Sequence, residues 1–349
     1  MPEASATGRW ASACWAAAVG CVVLAGALRI WAGLGDFWLD EIWSLRFAQH
    51  LSSPWQAVTK RYYDNVHLLN TLYLYTLGDR ANWVWYRVLS MAAGTAAVAM
   101  LGWACIRRSW LDALTTMVLA ALSFPLVLYS SEARGYAPAI LFAVAGYAAI
   151  QHYWRAGRWW ALCAFWGAIA LGLMSHASVL YVYLSLVLWS IARAFRHAGG
   201  RRRAVVELVV CHAFPVVFLM LLYVLHIRNL VEGEGPVHSV WHVVGQALAM
   251  AAGAPEAGPW RVVGIAAVCA TVILGVLLLR RDESLHWLFY VSVLAVAPAL
   301  VVILKQPKVL YFRYFVVCFP FFYLLLSTTT LSFWPATCSY VLEIYPNSV

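Results

Sequence analysis

The chain has 349 residues, of which 64% are hydrophobic and only 11% are charged, and its mean hydropathy is +0.75. Ordinary soluble domains carry about 25% charged residues, so this composition excludes a soluble globular protein. The formal net charge of +9 comes from short arginine clusters between apolar stretches. That distribution is typical of topology signals and argues against a nucleic-acid-binding groove.

Ten apolar stretches are each close to the roughly 20 residues that a helix needs to cross the hydrocarbon layer. They cover residues 11–33, 84–106, 110–129, 135–153, 159–175, 177–195, 205–227, 260–279, 285–304 and 313–331. Backbone polar groups in lipid have to be satisfied within their own segment, so we interpret the stretches as helices. The sequence therefore predicts an all-α polytopic membrane protein with about ten transmembrane helices.

The positions of the arginines predict the orientation of these helices. Clusters lie in alternate loops, at Arg107-Arg108, at Arg155 with Arg158, between Arg193 and Arg203, and at Arg280-Arg281. Placing them in the cytoplasm also places the N-terminus inside. Most carboxylates then lie outside, namely Asp36, Asp40, Glu41, Asp64, Asp79, Glu132, Glu232, Glu234 and Glu256. We therefore expect an extracytoplasmic working face on a protein of the inner or plasma membrane.

Two loops on this outer face are long. The first, 34–83, contains two amphipathic or short apolar segments, 40–51 and 67–78, which predict helices lying in the membrane interface. The second, 228–259, has a predicted surface helix at 239–252. The sequence shows no internal repeat, so residues 1–331 are predicted to form one membrane domain. Residues 332–349 are expected to be a tail, and a truncated end is an open alternative.

Adjacent carboxylates, Asp40 and Glu41, follow the first predicted span directly. Ionisable groups at the edge of the hydrocarbon are costly and usually mark a functional site. A structural alternative stays open, in which Asp40 caps a helix and Glu41 interacts with its dipole.

A second candidate pair, Glu132 and Arg134, lies between the third and fourth predicted spans on the same face. In a helix these side chains would not face each other, but a turn can direct both into one cavity. An exposed salt bridge is the alternative.

Histidines and cations complete the candidates. His67 and Asn70 open the second interfacial segment and His176 ends a span, although a lone histidine is often only a packing residue. His238 and His242 have the spacing of a metal pair, but no third ligand is evident nearby.

Basic residues Lys305, Lys308 and Arg313 precede or open the last predicted span on the outer side, against the topology bias. An anionic headgroup such as a lipid phosphate would explain them. Snorkelling of long side chains is the alternative explanation.

Five stretches, in this order, resemble the GT-C superfamily of glycosyltransferases, in particular the family 39 group of protein O-mannosyltransferases and lipid A aminoarabinose transferases. They are Asp40-Glu41, HLLNTLYLY (67–75), WVWYRVLSMAAGT (83–95), YSSEARGYA (129–137) and YFRYFVVCFPFF (311–322). The resemblance covers roughly residues 10–326. One departure is that the family's His-Pro-Pro pattern reads His67-Leu68-Leu69 here.

The resemblance implies a hexosyl- or pentosyltransferase that takes a sugar from a polyprenyl-phosphate donor and transfers it to a hydroxyl of a lipid, glycan or protein. It assigns Asp40 as the base, and inversion at the anomeric carbon follows. The supporting acids are Glu41 and Glu132. The phosphate contacts are Arg134, Lys308 and Arg313. The further sugar or phosphate contacts are His67, Asn70, His176 and Tyr314. The expected partners are the donor, the acceptor and membrane lipids.

Several alternatives remain open at this stage. A divalent Mg²⁺ or Mn²⁺ ion could bridge Asp40, Glu41 or Glu132 to the phosphate, because hard cations prefer oxygen ligands. A transporter or flippase of lipid-linked saccharides would also surround a lipid phosphate with charges. A transferase like the O-antigen ligases and a non-catalytic GT-C-like scaffold are further alternatives.

Overall fold

The computed structural model describes residues 3–60, 62–63, 67–197, 199–231, 235–281 and 285–332. The first half of the chain contains α1 (Glu3–Ala32), α2 (Leu39–Gln49), α3 (Gln56–Thr59), α4 (Leu68–Leu77), α5 (Val84–Ile106), α6 (Trp110–Leu122), α7 (Phe124–Ser130) and α8 (Tyr136–Ala156). The second half contains α9 (Trp159–Ser175), α10 (Val179–His197), α11 (Arg201–Leu225), α12 (Val240–Ala251), α13 (Pro259–Arg281), α14 (His286–Val291), α15 (Ala297–Lys305) and α16 (Phe319–Ser332).

Short irregular elements join these helices. A π-helical turn, Ser292–Val296, connects α14 to α15, and 3₁₀ segments cover Ile227–Asn229 and Phe312–Cys318. Two-residue strands β1 (Tyr62–Tyr63) and β2 (Leu230–Val231) pair in parallel. This pairing ties the first long loop to the second.

The protein is an all-α polytopic membrane protein. Among the described residues, seven helical segments are long and apolar enough to cross a membrane, and an eighth results if α6 and α7 form one bent span. All ten predicted stretches are helical, but 135–153 and 159–175 are not among these segments. The count of ten transmembrane helices stays a prediction.

The break between α6 and α7 has a local cause. Pro125 has no N–H with which to continue the hydrogen bonds of α6, and Ser123 adopts an extended conformation. The two helices are consequently bent by 63°. α7 is therefore inclined to α6, and the turn at 131–135 follows directly at its C-terminal end.

Burial separates inner helices from outer ones. In α1 and α13 only 11% and 17% of the spanning window is buried, whereas 67% is buried in the window from Phe312 to Thr330. Large apolar side chains on the outer helices, such as Trp31 and Ile273, are exposed. Apolar surface of this extent indicates contact with lipid. The core lies around α5, α8 and α9, where small residues allow close packing.

The short helices predicted in the outer loops are confirmed as α2, α4 and α12. Their position relative to a membrane interface stays a prediction, as does the cytoplasmic side of the arginine clusters. Asp64, Glu232 and Glu234, together with residues 333–349 of the predicted tail, lie outside the described residues.

Candidate functional site

The first turn of α2 holds the two adjacent carboxylates, and helical geometry separates their directions by about 100°. Asp40 points toward two arginines from distant parts of the chain. Its Oδ2 atom lies 2.8 Å from Nη1 of Arg134 and 3.2 Å from Nη1 of Arg313. The first loop, the 131–135 turn and the start of the last helical segment therefore meet at Asp40.

Glu132 joins the same group. Its Oε2 atom lies 3.9 Å from Nη1 of Arg134, which is an ion-pair distance too long for a hydrogen bond, and the buried Oε2 has no hydrogen-bond partner among the described residues. The expectation that a turn brings Glu132 and Arg134 together is met. We call Asp40, Glu132, Arg134 and Arg313 the charge cluster.

The charge cluster is buried on one side and accessible on the other. The side chain of Arg134 is only 2% exposed, whereas Asp40, Glu132 and Arg313 are 23%, 15% and 22% exposed. Burial raises the pKa of Glu132 to about 7, and the attraction of Arg134 only partly opposes this effect. Near neutral pH, Glu132 is therefore able both to hold and to release a proton.

An aromatic wall lies beside the charge cluster. The ring of Tyr136 lies 5.2 Å from His67 and 4.6 Å from His176, and the His176 ring lies 5.9 Å from Tyr314. The guanidinium of Arg134 lies 4.9 Å above the ring of Tyr136, a cation–π geometry. The wall therefore joins the predicted contacts His67, His176 and Tyr314 to the predicted charges.

Both histidines of the wall are neutral. Burial, reinforced by the other histidine and by Arg134, holds the pKa of His67 well below its usual value, and burial lowers the pKa of His176 to about 3. The backbone N–H of Ser178 donates to Nδ1 of His176 at 3.0 Å. Nε2 of His67 is buried and accepts or donates no hydrogen bond within the part of the chain that the structure describes. These rings suit hydrogen bonds to hydroxyl groups better than pairing with an anion.

Glu41 faces away from the charge cluster and makes a fully buried ion pair. Arg87 donates from Nε to Oε1 at 2.8 Å and from Nη2 to Oε2 at 2.6 Å. The backbone N–H groups of Trp38 and Ala133 donate to the same carboxylate at 2.8 and 2.6 Å. Four donors occupy this carboxylate, so its contacts are those of a structural acceptor. The predicted role of Glu41 as a supporting acid stays a prediction.

Arg87 and Tyr136 are residues beside the charge cluster that the sequence analysis did not name as candidates, and Arg87 has the larger structural role. It also donates to the carbonyl oxygens of Gly33, Gly35 and Asp36, at 2.6 to 2.8 Å. One side chain of α5 thereby fixes the link between α1 and α2, which sets the position of Asp40. The available signal was an arginine in the first turn of an otherwise apolar helix.

The turn at 131–135 is held from three sides. Nδ2 of Asn70 donates to the carbonyl oxygen of Ala133 at 2.7 Å, and Oγ of Ser90 donates to that of Arg134 at 2.9 Å. A Cβ atom at Gly135 would overlap the carbonyl oxygen of Ser175 and the side chain of His67. Asn70, a predicted ligand contact, therefore acts on the position of Glu132 and Arg134.

The remaining candidates are not part of the charge cluster. Lys305 is exposed at the end of α15, and Lys308 is exposed on the segment that leads from α15 to Arg313. The rings of His238 and His242 stack at 5.3 Å on an exposed surface.

Asp40 and Glu41 are paired with cations and N–H donors of the protein in this structure. In the part of the chain that the structure describes, no three His, Cys, Asp or Glu side chains lie close enough to hold a metal ion. Hard cations require carboxylate oxygens that face the ion, and here cations of the protein already occupy that position.

No protein-family model, curated protein or solved structure matches this chain. The resemblance to family 39 therefore depends on the quoted residues alone.

Proposed function

We propose that this chain is a membrane glycosyltransferase of GT-C-like fold, with about ten transmembrane helices. It would transfer a sugar from a polyprenyl phosphate to a hydroxyl of a lipid, glycan or protein at the extracytoplasmic face of the inner or plasma membrane. The observation that supports this proposal is Asp40 between the guanidiniums of Arg134 and Arg313, at a partly open end of the bundle.

The chemistry requires few groups. Phosphate is a good leaving group near neutral pH, so the protein has to orient the acceptor, receive its proton and stabilise the departing anion. Arg134 and Arg313 supply the cations, and a guanidinium can bind two phosphate oxygens at once. Asp40 supplies the base for the acceptor hydroxyl.

The proposal includes an exchange of partners at Asp40. The donor phosphate competes with Asp40 for the two guanidiniums, because both ligands are oxyanions that bind at the same Nη1 atoms. Once the phosphate holds the arginines, the carboxylate of Asp40 is released to accept the acceptor proton. Attack from the face opposite to the phosphate inverts the anomeric carbon.

The neighbouring residues receive supporting roles. Glu132, with its pKa of about 7, passes the proton from Asp40 to solvent. The neutral rings of His67 and His176 hydrogen-bond sugar hydroxyls, and Tyr314 contributes a stacking surface beside them. Lys308 attracts the anionic headgroup from the exposed segment next to Arg313.

The test is turnover of a panel of radiolabelled polyprenyl-phosphate sugars by purified protein in lipid nanodiscs. Asp40→Asn keeps the shape of the side chain and should lower turnover about 100-fold or more, because a general base contributes 10²–10⁴-fold. Asp79→Asn is the matched control, since Asp79 is exposed and bonds only Gln49 among described side chains.

Two results would contradict the proposal. One is equal turnover by the wild type and by Asp40→Asn. The other is movement of the intact donor across proteoliposomes without sugar transfer by the wild type, which would favour the flippase alternative.

A further inference from the structure

A cleft lies at the opposite end of the bundle from the charge cluster, where α5 and α8 end and α9 begins. Its polar lining consists of Arg107, Gln151, His152 and Arg155, and Trp103 forms one wall. The enclosed part is only about 20 Å³, the size of a water molecule. A ligand would therefore sit in the open mouth, which suits a small charged group better than a whole metabolite.

The charge of this cleft is one-sided. Arg107, Arg155 and Arg158 all act electrostatically on His152, and Arg107 also repels Arg155. No ion pair among the described residues includes any of these three arginines. Nη2 of Arg155 donates to Oε1 of Gln151 at 3.0 Å, which fixes its direction. Arg107 and Arg155 line the same cleft and repel each other, and a bound anion would offset this repulsion.

Exposed tryptophans surround the cleft. The His152 ring lies 4.7 Å from Trp160 and 6.5 Å from Trp103. Trp103, Trp159 and Trp160 are 45%, 75% and 47% exposed. Exposed tryptophans beside arginines are typical of the headgroup region of a bilayer, where phosphate groups are abundant.

We infer that this cleft binds a phosphate group through Arg107 and Arg155. The group comes from an anionic lipid headgroup or from free phosphate. The inference is independent of the proposed transferase, because the cleft lies at the other end of the helices and shares no residue with the charge cluster.

Native mass spectrometry of the full chain, released from nanodiscs, tests the inference. In one arm the nanodiscs contain phosphatidylglycerol, and in a second they contain only phosphatidylcholine and receive inorganic phosphate. The double substitution Arg107→Gln/Arg155→Gln should weaken binding of phosphatidylglycerol or of inorganic phosphate at least about 10-fold, since two charge-assisted contacts are lost. The matched control is Arg201→Gln/Arg202→Gln, which removes two exposed arginines of α11.

The arms identify the source of the phosphate group. Selective loss of phosphatidylglycerol in the cleft variant identifies a lipid, whereas selective loss of inorganic phosphate identifies a soluble anion. The variant Arg107→Lys/Arg155→Lys keeps the charge and should retain part of the binding. If the cleft and control variants bind both probes equally, the inference is overturned. All four arginines are exposed, so these variants should fold, and a single chromatographic peak verifies this.

Discussion

The buried pair of Glu41 and Arg87 should be essential for the stability of the end of the bundle that carries the charge cluster. The side chains are 0% and 4% exposed and share two hydrogen bonds of 2.6 and 2.8 Å. Removing one partner of such a pair costs about 3–5 kcal/mol. In Arg87→Gln we expect about 3 kcal/mol, because Glu41 keeps the two backbone N–H donors of Trp38 and Ala133.

The assay is thermal unfolding in detergent, followed by tryptophan fluorescence. A loss of about 3 kcal/mol should lower Tm by at least roughly 5 °C in a chain of this size. Arg46→Gln is the control, since Arg46 is an exposed arginine of α2 in the same loop, and it should change Tm by less than about 1 °C. The double variant Glu41→Gln/Arg87→Gln should lose less than the sum of the single variants, because neither charge is left buried alone. A Tm of Arg87→Gln equal to that of the wild type would refute this reasoning.

Three further predictions concern the charge cluster and its turn. The folded-state pKa of Glu132, about 7, exceeds its usual value of 4.5, so its contribution to stability is present below about pH 4.5 and is lost as the pH rises toward 7. Glu132→Gln should remove that loss, on the order of 3 kcal/mol, and parallel pH–stability curves for the two proteins would contradict the assignment. Gly135→Ala should destabilise by more than about 2 kcal/mol because its Cβ has no space, whereas Gly167→Ala, which faces open space, should be neutral or slightly stabilising in the same unfolding assay. Arg313→Lys should raise the KM for a polyprenyl-phosphate donor about 10-fold or more, and an unchanged KM would remove Arg313 from phosphate binding.

The length of the apolar stretches was sufficient to predict where the helices lie. Each stretch is long enough to satisfy its backbone hydrogen bonds internally, and each is helical in the structure, although 110–129 is broken at Ser123 into α6 and α7 and 313–331 begins as a 3₁₀ segment. Alternating arginine clusters then predicted that the segments carrying Asp40, Glu132 and Arg313 share one face, and in the structure these side chains lie in one cluster. Sidedness predicted only a shared face, and the selection of the four charge-cluster residues from the many polar residues on that face came from the local motifs and the resemblance to family 39.

The sequence did not predict that Asp40 would face the charge cluster while Glu41 forms a buried ion pair with Arg87. Which of two adjacent carboxylates faces the cluster depends on the rotation of α2 about its axis, and Arg87 determines that rotation from another helix. A single arginine at the start of α5 signals a polar site, but the sequence does not show which residue of another segment it pairs with. The number of spans likewise stays a prediction, because α9 is strongly apolar but has only 17 residues and α8 lies largely buried against α5 and α9.

Because little of α1 is buried, the tilt of this helix should depend on the thickness of the bilayer. Only a narrow stripe of α1 contacts the bundle, so a thin membrane would favour tilting of this helix to relieve hydrophobic mismatch. Arg87 holds the carbonyl groups that follow α1, so the tilt is resisted at that end and is taken up at the other. The geometry around Asp40 should therefore tolerate changes in acyl-chain length that displace the opposite end of α1.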